Sequence, residues 1–458
     1  MSPEHDPKGV NRRRFLTMAA AAAGSLTLAA CGQANTGGTT TAGGASAAGE
    51  AAGGAAAGGT TGLAGTTIKW STWGNPGELQ RFQEFTADWN KKTGAKAELI
   101  PIPSDYEPKI LTQLSGGSAP DTFYSGDSTL SKLISSNSII ELTERLNSPQ
   151  SKSKPEQFIE GLWGPGRTAD GKIWGVAVDC NPIVLWYNKA LLGEAGVTTM
   201  PADLYAQGQW NWDALSTILE QVAAAGKRGL IFENWFGPVW GWATTNGGTV
   251  WDGENFVGAD DPKTVEGIQF IIDNLANKTF TYSGSLPKGQ GQDAMFLSQQ
   301  AAMVAAGRWL LPVFKKAGNL EYDVVVMPTN TDKPLMPSPV ATAYMVQNAK
   351  AANPDATFQF LTDFVSPEGQ KFRLQGGGNA VPSVTGADEV VAEGNDPANW
   401  KAFIEARDNG YAIWPGLANT PGLADDMQKV LDEAFLKGGD VNTVMAKLVD
   451  VVKQKKGQ

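Results

Sequence analysis

Histidine is almost missing from these 458 residues, with His5 the only one, and cysteine is limited to Cys31 and Cys180. These shortages exclude zinc sites built on cysteine and histidine, histidine-based catalytic triads and a disulfide framework. Cys180 has no histidine to activate it and reads as a small buried residue, not a nucleophile. Positive charge is short as well, with 37 Lys and Arg against 47 Asp and Glu and a formal net charge of −10. Residues 1–30 carry Lys8, Arg12, Arg13 and Arg14 against Glu4 and Asp6, so the remainder is more acidic still. An acidic body without a basic stripe argues against nucleic acid as a partner. No Gly-x-x-x-x-Gly-Lys-Ser/Thr loop occurs, so the sequence offers no phosphate cradle of that kind. The longest bland apolar run, Met18 to Ala30, is too short for a stable membrane span.

What is present begins with an address. Asn11 to Leu16 reads N-R-R-R-F-L, and the apolar run after it ends in Leu28-Ala29-Ala30-Cys31-Gly32. This resembles a twin-arginine export signal joined to the lipobox of bacterial lipoproteins, although general secretory signals also start with basic residues. The resemblance implies that residues 1–30 are removed and that Cys31 receives lipid as the mature N-terminus. Residues 31–65 are nearly all Gly, Ala, Ser and Thr, a composition that cannot bury enough apolar surface to fold. They read as a flexible tether with a root-mean-square reach of about 30–35 Å.

The rest is long enough to need more than one core, so two lobes are expected. The stretch Gly171 to Leu192 organises them. Its apolar residues fall in two β-branched or aromatic blocks, Ile173 to Val178 and Ile183 to Tyr187, each short enough for a buried strand. Between them Asp179-Cys180-Asn181-Pro182 predicts a polar kink outside either sheet, because Pro lacks an N–H and restricts its predecessor. A strand that leaves one sheet, kinks and enters another is a hinge, and its polar residues would face a cleft. Upstream, strands at Thr67 to Trp73, Lys96 to Ile102 and Thr122 to Tyr124 alternate with helices, one of them carrying Leu79, Phe82, Phe85 and Trp89. That order indicates a doubly wound α/β lobe, in which ligands sit beyond the carboxyl ends of strands. Trp73, Asn75, Tyr124 and Asp127 fall at such ends. Downstream, helices are predicted around Leu215 to Val222 and after Asp261-Pro262, and buried strands over Gln300 to Trp309, Tyr322 to Met327 and Val340 to Val346. The aromatic segment Phe232 to Gly248 shows no clear period. A helix from Asn353-Pro354, a loop at Gly376 to Asn379, a polar stretch and two amphipathic helices complete the chain.

The order of KWSTWGNPGEL, PDTFYSGD, GKIWGVAVDCNPIVLWYNKALLGEAGV, TTNGG, FLSQQAAMVAAGRW and FQFLTDFVSPEGQKF followed by GGGNAVPS resembles the extracellular solute-binding proteins of bacterial ABC importers. The similarity is to the carbohydrate-binding class related to maltose-binding protein, and it covers most of residues 66–453. It implies a two-lobed periplasmic-binding-protein clamp of type II, each lobe a sheet flanked by helices. The implied lobes are 66–178 with 340–387 and 181–337 with 390–458, joined by crossings near Asp179, Ser338 and Ala387. It further implies a monomer without cofactor, metal or catalysis, which hands a carbohydrate to permease subunits served by a separate ATPase. The body would be lipid-anchored on the outer face of the cell membrane.

Residue chemistry agrees with a sugar site, which needs carboxylates and amides for hydroxyl edges and flat aromatics for C–H faces. Trp73, Trp235, Trp240, Trp309 and Trp414 sit in loops or at strand ends, where core packing explains them less easily, and Phe236 lies in the same WFGPVWGW run. By position in the family, Trp240 and Trp414 correspond to stacking residues, Asp127 and Asp179 to acids at the site, and Arg308 is a further candidate for hydroxyl binding. Other readings stay open. The same clamp would take a polyamine if several acids surround the aromatics, or a short peptide, and a pair of acids beside a sugar could in principle serve a glycosidase.

Overall fold

The computed structural model describes residues 62–457. The export segment, Cys31 and the tether as far as residue 61 lie outside the described residues. The tether's expected last residues, 62–65, pack onto the body: Leu63 is buried, and the Gly65 N–H donates to the Gly94 carbonyl at 3.1 Å.

Among the described residues twelve strands are present: β1 (Thr67–Thr72), β2 (Lys96–Pro101), β3 (Thr122–Gly126), β4 (Val176–Pro182), β5 (Val184–Asn188), β6 (Arg228–Phe232), β7 (Trp251–Asp252), β8 (Asn255–Phe256), β9 (Phe280–Tyr282), β10 (Ala301–Ala306), β11 (Tyr322–Val326) and β12 (Val340–Gln347). They form two five-stranded sheets, β2-β1-β3-β12-β4 and β11-β5-β10-β6-β9, and the short β7-β8 hairpin. In the first sheet β1 pairs parallel with β2 and β3, while β12 runs antiparallel to β3 and β4. The second sheet repeats the mixture, with β6 parallel to β10 and β9, and β5 antiparallel to β10 and β11. Each sheet has its own core. Ile68, Trp70, Phe123, Val176 and Phe364 belong to the first, and Val184, Trp186, Leu230, Val304 and Val324 to the second. Two sheets, two cores and covering helices make a two-lobed α/β molecule.

The Pro76–Thr93 helix illustrates how sequence sets these layers. Asn75 caps it, accepting from the Gly77 and Glu78 N–H groups, while Glu78 accepts from the Asn75 N–H, a capping box with Pro76 in the first turn. Gly94 ends it at φ 72°, a left-handed conformation that glycine adopts without a Cβ penalty. Phe82, Phe85 and Trp89 fall on the buried face, each contributing about 1.5–3 kcal/mol by removal from water.

The structure corrects the kink. β4 begins at Val176, not Ile173, and continues through Asp179 to Pro182, paired with β12. Pro182 is tolerated because β4 is the edge of its sheet, where a missing donor leaves no ladder bond unmade. The irregularity lies earlier: Ala343 pairs with Asp179 and Tyr344 with Ala177, so Val178 is an extra residue, a bulge that re-aims the chain at Asp179. The chain then passes from one sheet to the other at Ile183, between β4 and β5. The return passage lies beside it, the Ile183 N–H donating to the Pro339 carbonyl at 3.1 Å. A third segment flanks these, Cys180 and Val381 exchanging backbone bonds of 2.9 and 2.8 Å.

Two further differences concern helices. The aromatic segment without a period contains the Phe236–Thr245 helix, in which every residue after Phe236 is buried. A helix covered on all sides has no polar face to reveal its period. It lies so close to the Pro262–Ala276 helix that a Cβ on Gly267 would stand 2.6 Å from the Ala243 Cα. The polar stretch after Asn379 holds the Lys401–Asp408 helix, whose Phe403 joins the second core. Among the described residues, no helix is long and apolar enough to cross a membrane.

Candidate functional site

A cleft of about 690 Å³ opens where the two lobes meet, lined by ends of first-sheet strands, by the crossing strands and by turns of the second lobe. Beyond β1, Trp73 stands edge-on to Tyr106 and Tyr124, with ring centroids 4.9 and 5.3 Å away. The Tyr106 hydroxyl spans the Ser71 and Tyr124 carbonyls at 3.0 and 3.1 Å, tying the ends of β1 and β3 together. Tyr124 itself is buried, and its hydroxyl has no hydrogen-bond partner. Asp127 opens the Asp127–Ser135 helix directly after β3. A Cβ on Gly126 would fall 2.2 Å from the Glu107 Oε1, so this glycine gives Glu107 room beside Asp127. Burial, opposed by the Ser128 backbone and reinforced by the Glu107 charge, pushes the Asp127 carboxyl up to about 6.

Glu78 is held by its own helix cap and by the Asn379 amide, which donates to Oε1. Burial raises its carboxyl to about 7 against the pull of the Asn75 N–H, and the Asp179 charge raises it further. The crossing strand β4 places Asp179 and Asn181 at the base of the cleft. Arg373, fully buried, donates to the Asp179 Oδ2 at 3.0 Å and to the Val178 carbonyl at 2.6 Å. Burial pushes the Asp179 carboxyl up, while Arg373 pulls it down. The Asn181 Oδ1 is buried without a partner.

The second lobe supplies two rings. Trp235 precedes the Phe236–Thr245 helix, and Trp309 lies in the 3-10 turn Arg308–Leu310 after β10. Their centroids are 6.1 Å apart at 50°. Gly237 and Gly307 make this possible, since a Cβ on either would lie 2.5 or 2.2 Å from the Trp235 or Trp309 ring. Flat apolar faces, carboxylates and unpartnered polar atoms thus converge on one cavity. Such a wall can hold a compact polyhydroxylated or amine-bearing molecule by hydrogen bonds and ring contacts. Among the described residues no acidic, cysteine or histidine cluster could hold a metal ion.

Of the residues expected from sequence, Trp73, Asn75, Asp127, Asp179, Trp235 and Trp309 line this cleft. The Asn75 Oδ1 is occupied by the helix cap, leaving its amide N–H groups for other partners. Phe236, Trp240 and Trp414 do not line it. They form a neighbouring aromatic cluster with Tyr411, Trp414 lying 5.2 Å from Phe236, 6.4 Å from Trp240 and 4.9 Å from Tyr411. Arg308 is corrected outright. Its guanidinium is fully buried and donates to the Ala380 carbonyl at 2.9 Å, fastening the third crossing segment from behind. Sequence reasoning passed over Glu78, Glu107, Asp293 and Asn379 as lining residues. Only Glu78 had a signal, the Asn75-x-x-Glu78 spacing of a capping box.

Residues 81–403 match the profile of a family described as bacterial extracellular solute-binding protein. In fold the chain is similar to an ABC substrate-binding protein of Listeria monocytogenes in complex with cycloalternan, at TM-score 0.73 and 21% identity, covering 86% of this chain and 99% of that one. It is also similar to the GacH receptor of Streptomyces glaucescens, described unliganded and with acarbose, at TM-score 0.70 and 19% identity over 85% and 98% of the two chains. A maltose-bound T. maritima protein, MalE3, is similar at TM-score 0.69 and 15% identity over 86% and 99%. No curated protein matches the chain.

Proposed function

The chain belongs to the bacterial extracellular solute-binding proteins, and on that footing we propose that it is the substrate receptor of an ABC importer, closing two lobes on a carbohydrate and presenting it to a permease. The observation that carries this reading is the cleft itself. Trp73, Trp235 and Trp309 offer ring faces, and Asp127, Asp179 and Asn181 offer hydrogen-bonding atoms, from both lobes and the strand joining them. The three similar structures whose descriptions name a saccharide-type ligand support the choice of ligand class.

Function then follows from geometry. The lobes are built on the β2-β1-β3-β12-β4 and β11-β5-β10-β6-β9 sheets, and the adjacent crossings at Ile183, Pro339 and Val381 absorb the backbone change of closure. Binding across both lobes favours the closed form, and closure is what a permease reads. The protein acts as a monomer, exported behind its twin-arginine-like segment and held to the membrane by lipid on Cys31. It binds without hydrolysing, and a test for reducing ends released from oligosaccharides should stay negative.

The direct test is a thermal-shift screen of the purified protein against mono-, di- and oligosaccharides, spermidine and short peptides, followed by small-angle scattering. A saccharide at a hundred times its Kd should stabilise by about 2.7 kcal/mol, a rise of several degrees, and should shrink the radius of gyration. A shift with spermidine or peptide alone would replace the ligand class. A bound saccharide without compaction would discard closure.

A further inference from the structure

The cleft is rich in acceptors and poor in positive charge. Glu78, Glu107, Asp127, Asp179 and Asp293 line it, and among the described residues no lysine or arginine does. Arg81, Lys315 and Lys316 belong to an adjoining recess, which shares Asn75, Glu78 and Asn379 with the cleft. Among the described residues, Asp179 is the one of these five carboxyls paired with a cation, Arg373, through one oxygen. The amides do little to redress the balance, since Asn379 spends an N–H on Glu78 and the Asn181 Oδ1 is buried without a partner. The buried Tyr124 hydroxyl at the same wall also lacks a partner.

A neutral sugar hydroxyl donates one hydrogen bond and accepts others, so it leaves such a wall partly unsatisfied. An ammonium group donates three and accepts none. It also relieves the repulsion between Glu107 and Asp127, and its bonds to carboxylates are charge-assisted and therefore stronger. We infer that the saccharide this cleft takes carries a protonated amino group, seated against Asp127 and Glu107 beside the Trp73 ring. The inference rests on the saccharide reading above and adds the charge of the ligand to it.

Isothermal titration calorimetry with matched pairs tests it: chitobiose against cellobiose, glucosamine against glucose, galactosamine against galactose. At least one amino sugar should bind roughly tenfold or more tightly than its neutral parent at pH 7. That preference should shrink between about 20 mM and about 500 mM NaCl as ions screen the charges, and Asp127→Asn should erase it. A second readout needs no variant. At about pH 5.5 the amine is fully protonated while Asp127 still holds part of a proton, so a cation seated there displaces it, and the binding enthalpy should vary with the ionisation enthalpy of the buffer in the sense of proton release. Equal or tighter binding of every neutral parent, or proton uptake on binding an amino sugar at about pH 5.5, overturns the inference and leaves the saccharide reading standing. Binding of spermidine with no saccharide overturns both. Binding of no member of the panel overturns the inference as well.

Discussion

Gly307 has φ −81°, a value any residue adopts, so space and not backbone freedom makes glycine necessary there. A Cβ at this position would lie 2.2 Å from the Trp309 ring and 2.7 Å from the Asn181 Cβ, and both residues line the cleft. Gly307→Ala should therefore displace two contacts at once. The expected outcome is a loss of roughly tenfold or more in ligand affinity by calorimetry, with an overpacking cost of about 1–3 kcal/mol in urea denaturation. At this scale the sequence was half legible. Trp309 follows a buried strand at a turn, and that placement alone marked it as a surface ring. Its neighbour Arg308 looked equally available, yet in the Arg308–Leu310 turn it points inward to the Ala380 carbonyl. Sequence supplies position along the chain but not the direction of a side chain in a short turn. Glu107 and Asp293 were passed over because each lies in the first turn of a helix, Tyr106–Ser115 and Gln292–Leu297, where sequence does not tell which side chain faces a cleft.

The elements around β4 depend on one long-range clamp. Arg373, on the Pro367–Leu374 helix, donates to Asp179, to the Val178 carbonyl and to the Phe364 carbonyl, and its guanidinium lies 4.1 Å from the Phe364 ring centroid. The bulge at Val178 exposes a carbonyl and a carboxylate that need this donor. Arg373→Ala leaves both buried and unpaired, and chemical denaturation should show a loss of about 3–5 kcal/mol. Arg373→Lys should recover little, because an ammonium lacks the planar fork that reaches several acceptors at once. The two strand blocks of this region were readable from β-branched and aromatic runs. That Asp179-Cys180-Asn181-Pro182 stays in the sheet was not, because tolerance for proline depends on β4 being an edge, and edge position is set by β12, far along the chain. The Phe236–Thr245 helix was hidden by burial on every side, whereas the Pro76–Thr93 helix displayed its cap and its apolar face.

Two carboxyls in one cleft give the whole molecule a pH response. Glu78 and Asp127 hold protons more tightly when folded, at about 7 and about 6 against ordinary values of 4.5 and 3.8. Folding therefore takes up protons between the ordinary and the raised values, and stability falls as pH rises through that window. The contribution is complete below the ordinary values and lost above about pH 7. Without ligand, the thermal midpoint should fall by a few degrees between about pH 5 and about pH 7.5. The double variant Glu78→Gln with Asp127→Asn should reduce that slope, leaving the share of Asp179, whose carboxyl burial also raises, as scanning calorimetry would read. The two-lobed plan was legible at this scale, since chain length and the order of short motifs do not depend on any one side chain. The cleft's charge was not, because it is assembled from Glu78, Glu107, Asp127, Asp179 and Asp293, which are scattered through the first three hundred residues and meet only in the fold.

The position of β12 between β3 and β4 imposes an order of events during synthesis. When β4 leaves the ribosome it has no neighbour in its sheet, because the strand it pairs with is encoded roughly 160 residues later. At ~5–20 residues per second, that is a wait of roughly 8–30 s. The second lobe's sheet, from β5 to β11, is complete in sequence before the first lobe's sheet can close. The lobe that begins the chain is thus the last to finish its sheet, and its open edge must be kept from pairing elsewhere until then.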